Sequence, residues 1–195
     1  MPLVEQHSDI IRLEPPSLLL EFGRSNSCVF LPTIPTMAQR SRQLLADMYS
    51  RLVTDQTALK SLTSSTKPLR TFAHELASLT SKPEAVLGED VKTTDEWLDQ
   101  VEGMNGSLET LDKKLEPITF LSGNAPTAAD YSLFASLYDI VSTLPPAAQH
   151  AHPSLVRYFS HMSHLSAGSN IDPPVKPFEP VYEGCLLYTS PSPRD

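Results

Sequence analysis

Residues 120–130 read Phe-Leu-Ser-Gly-Asn-Ala-Pro-Thr-Ala-Ala-Asp, and an apolar run from Tyr131 to Leu144 follows, closed by Pro145-Pro146. This order predicts a turn, a helix cap and a buried helix. Gly123-Asn124 is a turn dipeptide, because glycine takes positive φ without a Cβ penalty. Thr127 is placed as an N-cap whose hydroxyl can accept from a free first-turn N–H. Asp130, three residues on, can reach back to the Thr127 N–H and form a capping box with Asp in place of Glu. Its charge also suits the positive end of the helix dipole. Leu133, Phe134, Leu137, Tyr138, Ile140, Val141 and Leu144 then give the helix a wide apolar face. Ala128, Ala129 and Ala135 let neighbouring helices approach, and Pro145-Pro146 is expected to stop the helix.

The rest of the chain reads as helices gathered around that one. Residues 36–62 predict a single long helix, capped by Thr36, with Leu44, Leu45, Met48, Leu52, Ala58, Leu59 and Leu62 along a stripe. A second helix is expected over 68–80, with Leu69, Phe72, Ala73, Leu76 and Leu79 on one side. Residues 82–93, interrupted by Pro83 and Gly88, read as loop. A third helix is expected to begin at Thr93 or Thr94, with Asp95 and Glu96 in its first turn and Trp97, Leu98 and Val101 inward. A fourth runs over 107–116 until Pro117. The last, over 152–165, carries Leu155, Val156, Phe159, Met162 and Leu165 at helical spacing. The expected fold class is therefore all-α, a helical bundle over residues 36–168. Residues 1–35, broken by Pro15-Pro16, Pro32 and Pro35, form an irregular or leader segment. Residues 169–184 form a Pro-rich extended linker.

Composition narrows the function classes. The chain has 195 residues, a net charge of −8 and only two cysteines. An acidic chain is a poor partner for phosphate backbones. Scarce cysteine fits a reducing, cytoplasmic setting. No apolar run approaches the roughly 20 residues of a membrane-spanning helix, so no membrane role is expected, and the start lacks a signal-peptide pattern. Residues 185–195, Cys-Leu-Leu-Tyr-Thr-Ser-Pro-Ser-Pro-Arg-Asp, match one reading frame of the transposase adapter used for sequencing libraries. They read as an artefactual tail and are kept apart from the fold. On that reading the natural chain is expected to continue beyond Gly184, with Cys28 its genuine cysteine.

Signals for catalysis are thin. There is no Gly-x-Ser-x-Gly elbow, phosphate loop, dinucleotide fingerprint or paired-Cys motif. His150, His152, His161 and His164 lie close in sequence, and His161 and His164 stand at i, i+3. With no Cys and no carboxylate in that stretch, they read as surface or helix-end histidines rather than metal ligands. Asp130 reads as a structural cap rather than an acid or base. Arg157, beside Tyr158, is the charged residue singled out. It is either a solvent-exposed or locally paired Arg, or an ion-pairing contact across a protein interface that Tyr158 would share. No catalytic, cofactor-binding or metal-ligating residue is assigned.

The run Phe-Leu-Ser-Gly-Asn-Ala-Pro-Thr-Ala-Ala-Asp-Tyr-Ser-Leu-Phe-Ala-Ser-Leu-Tyr-Asp-Ile-Val resembles the centre of the glutathione transferase C-terminal helical domain. Leu121, Gly123, Thr127, Ala129 and Asp130 carry the match. The segment His152-Pro-Ser-Leu-Val-Arg-Tyr-Phe is similar to that family's following helix. Glutathione is held mostly by a thioredoxin-like half, and residues 1–35 are too short to form one. The arrangement most resembles the fungal tRNA-aminoacylation cofactors, whose N-terminal helical domain precedes an endothelial-monocyte-activating-polypeptide-like tRNA-binding domain. The resemblance implies a non-catalytic scaffold that docks on GST-like domains of methionyl- and glutamyl-tRNA synthetases. Contact with tRNA would come only through a downstream oligonucleotide-binding fold that this sequence lacks. The alternative is a fragment of a glutathione transferase or of an elongation factor 1 type protein.

Overall fold

The computed structural model describes residues 37–103, 107–169 and 174–180. The irregular segment 1–35, the cap assigned to Thr36 and the tail 185–195 lie outside them. The described residues form α1 (Met37–Tyr49), α2 (Gln56–Thr63), α3 (Leu69–Leu79), α4 (Pro83–Leu87), α5 (Val91–Glu102), α6 (Leu108–Leu115), α7 (Ala128–Val141), α8 (Pro146–Ala151) and α9 (Pro153–Leu165). Among them there is no strand. One isolated antiparallel bridge joins Val53 to Thr80. The architecture is an all-α bundle.

Helix α7 is the axis of the bundle. Every residue from Ala128 to Leu137 is buried, because α1, α4, α5 and α9 all pack against it. On the α1 side, Tyr49 meets Tyr131 edge to face with ring centres 5.9 Å apart. On the α9 side, Phe159 packs on Phe134 at 4.9 Å and on Tyr138 at 6.0 Å. Offset and edge-on aromatic pairs of this kind contribute beyond the area that they bury. Leu44, Leu45, Leu76, Leu98, Leu133 and Leu155 complete a core fully removed from water.

Three boundaries differ from the sequence expectation. Residues 36–62 do not form one helix. The chain leaves α1 after Tyr49 and Val53 joins the bridge to Thr80; Asp55 then starts α2 by accepting from the N–H groups of Thr57 (2.9 Å) and Ala58 (3.1 Å). The leucine stripe runs through the break because Leu52 packs against the core from the turn itself. Residues 82–93 are not all loop either. Pro83 opens α4 at a position where its missing N–H costs nothing. Asp90 rather than Thr93 caps α5, accepting from the Thr93 N–H at 3.2 Å and its hydroxyl at 2.6 Å. Finally, α7 ends at Val141, and Pro146 starts α8 rather than merely stopping the helix before it.

Gly88 sits where two loops meet. Its φ is +74°, and a Cβ there would stand 3.0 Å from Thr127 Cγ2. Positive φ and close approach both require glycine. The loop after α4 thereby lies directly against the turn that leads into α7, where Ser122 Oγ donates to the Asp90 carbonyl at 3.0 Å.

Candidate functional site

The most concentrated polar chemistry in the described core is at the start of α7. Asp130 is 0% exposed. Its Oδ1 accepts from the Leu121 N–H at 2.9 Å and the Tyr158 hydroxyl at 3.0 Å. Its Oδ2 accepts from the Thr127 N–H and the Thr127 hydroxyl, both at 2.9 Å. One carboxylate thus fixes the turn, the cap and α9 together. Burial pushes the Asp130 carboxyl above its ordinary value, and the four donors pull it back. Burial, and then the Asp130 charge, raise both Tyr158 and Tyr131. The group is sealed from solvent, so no substrate reaches it.

Tyr158 is accordingly not an interface residue. It is 2% exposed and points inward because its hydroxyl serves Asp130. Sequence position beside Arg157 suggested a shared surface, but neighbours on a helix diverge by roughly 100° and face different ways.

Arg157 is at the surface, and its guanidinium is engaged within the chain. Nη2 donates to the carbonyls of Leu115 (2.8 Å) and Ile118 (3.0 Å), at the end of α6. A cation there adds a donor to the Leu115 carbonyl, which also takes the Ile118 N–H at 3.4 Å, and meets the negative end of the helix dipole. Asp112 on α6 answers from the other side: its carboxylate accepts from the Leu155 N–H, in the first turn of α9, at 2.8 Å. Each helix therefore caps the other with a charge of the favourable sign. A spacing of more than forty residues hid this pairing from sequence reading.

These two devices sit inside a domain of recognisable family. Residues 56–166 match the family model described as "Glutathione S-transferase, C-terminal domain". The chain belongs to this family. No curated protein and no solved structure matches it. The matched span of the glutathione S-transferase C-terminal domain takes in both devices. It leaves out α1, which packs on α7 all the same, and residues 174–180.

Around Arg157 the surface is concave. A groove of about 540 Å³ runs along α8 and α9, lined among others by His150, Pro153, His161, His164 and Pro180. The His161 ring packs on Phe120 at 5.4 Å. Among the described residues no group of three His, Cys, Asp or Glu is placed to hold a metal. The large apolar side chains left most exposed on α7 and α9 are Ile140 (39%) and Leu165 (40%). No helix among the described residues is long and apolar enough to cross a membrane.

Proposed function

We propose that this glutathione S-transferase C-terminal-like domain is a non-catalytic docking module of a tRNA-aminoacylation cofactor. Its partners are the GST-like domains of methionyl- and glutamyl-tRNA synthetases, in the cytoplasm. The observation that carries the reading is the state of Asp130. The carboxyl group best placed for acid–base chemistry is sealed and committed to four internal donors. A group that cannot meet a substrate works for the fold. Exposed parts of α7 and α9, with Ile140 and Leu165, are the docking surface.

Docking acts through proximity. Holding a synthetase beside a tRNA-binding module raises the local concentration of tRNA without adding catalytic groups. The tRNA contact belongs to an oligonucleotide-binding domain apart from the described residues, since a chain of net charge −8 is a poor phosphate partner.

The test is titration calorimetry of the chain against the isolated GST-like domains of the two synthetases. Saturable one-to-one binding is expected, weakened at least tenfold by Ile140→Asp or Leu165→Asp with the helical circular dichroism unchanged. Absence of binding to either domain, with glutathione conjugation measurable when the chain is assayed, would support the transferase alternative instead.

A further inference from the structure

The segment after α9 has a three-residue rhythm. Residues 174–180 read Pro-Val-Lys-Pro-Phe-Glu-Pro, so proline recurs at 174, 177 and 180, an apolar residue at 175 and 178, and a charge at 176 and 179. A polyproline II helix has three residues per turn, so each set falls on one edge. Exposure in the structure follows the same period. Val175 is buried and Phe178 half-buried, whereas Lys176 and Glu179 are exposed. Within the Pro-rich stretch expected as an extended linker, residues 174–180 are seated against the bundle.

Its seat is built from α7 and α9. The Phe178 ring stands edge to face on Phe159 at 5.2 Å. The Phe178 N–H donates to Ser163 Oγ at 2.9 Å, and the Phe178 carbonyl accepts from Ser160 Oγ at 3.0 Å. The Lys176 N–H donates to the Tyr138 hydroxyl at 3.1 Å. Three prolines remove three backbone donors from the segment. Of the four that are left, two are satisfied by side chains of the bundle. Aromatic-lined grooves are the means by which proline-rich segments are recognised elsewhere.

We propose that the slot bounded by Tyr138, Phe159, Ser160 and Ser163 is a receptor for polyproline II segments of the pattern Pro-Val-x-Pro-Phe-x, occupied in cis by residues 174–180. The same pattern in another chain is its ligand in trans, and competes with a tethered segment whose effective concentration is on the order of millimolar. This goes beyond synthetase docking and does not depend on it.

The test uses the full chain and a fluorescent peptide, Pro-Val-Lys-Pro-Phe-Glu-Pro, followed by anisotropy. Phe178→Ala empties the aromatic seat. Lys176→Pro removes the N–H given to Tyr138 without touching the bundle, and serves as a second loosened chain. Either variant is expected to bind the peptide at least tenfold more tightly than the wild type, whose slot is filled. Adding Ser160→Ala to either should weaken that binding several-fold, and a peptide with Phe replaced by Ala should not bind. Loosened chains that bind no better than wild type, or that bind the Phe-to-Ala peptide equally well, would overturn the proposal.

Discussion

Two helix-end devices do similar chemistry in opposite surroundings. Thr127 and Asp130 cap α7 from within three residues of each other, fully buried, and draw in Leu121 and Tyr158. Asp112 and Arg157 cap α9 and α6 from each other's helices, at the surface. The bonds of the second device are part-buried or exposed, so water competes there, whereas those of the first are buried. The buried device should therefore carry far more of the stability, since an orphaned donor inside the core has nowhere else to turn. The surface device chiefly fixes how α6 and α9 lie against each other.

Asp130→Ala is the harshest way to break that contrast. It strands the Leu121 and Thr127 N–H groups and the Tyr158 hydroxyl, and should cost about 3–4 kcal/mol in urea unfolding. Gly88→Ala attacks the same corner from the neighbouring loop, through positive φ and the approach to Thr127 Cγ2. A loss of about 2 kcal/mol is expected by the same measurement. Tyr158→Phe removes a single donor and should cost about 1 kcal/mol. Arg157→Ala, in the exposed device, should cost no more than about 1 kcal/mol, and a double-mutant cycle with Asp112→Asn should show coupling smaller still. An Arg157→Ala loss equal to that of Asp130→Ala would erase the distinction.

Acidity sharpens the comparison further. Burial holds the Asp130 carboxyl above its ordinary value. Between that value and the raised one, the unfolded chain has released a proton that the native chain keeps. Stability therefore falls as pH rises through that window and levels above it. Asp130→Asn has no such titration, so its deficit against wild type should narrow as pH climbs from about 4. Unfolding curves at a series of pH values check the sign. The Arg157 contacts to the carbonyls of Leu115 and Ile118 should show no matching slope, since an arginine stays charged throughout and a carbonyl does not titrate.

What was legible in the sequence divides along the same line. The α7 cap is local: Thr127 and Asp130 stand three residues apart ahead of an apolar run, and short-range patterns show such things. The family resemblance rested on those same residues. The break between α1 and α2 was hidden because Leu52 keeps the leucine stripe going through a turn. Pro83 and Pro146 look like interruptions in the sequence, although proline at the first helical position opens a helix. The roles of Arg157 and Asp112 depend on residues about forty positions away, which no local pattern displays. Residues 174–180 have no helical period, and their period of three becomes meaningful only once Phe159 and Tyr138 are seen beneath them.

On the proposed docking role, a partner would meet the domain away from both capping devices, at the exposed ends of α7 and α9. Hydrogen exchange of the chain, alone and with a synthetase GST-like domain, tests this most directly. Amides of the buried part of α7, Ala128 to Leu137, should exchange only by global unfolding and be unaffected by the partner. Amides near Ile140 and Leu165 should gain protection on mixing. Protection appearing around Asp130 and Thr127 with none near Ile140 and Leu165 would contradict the assignment.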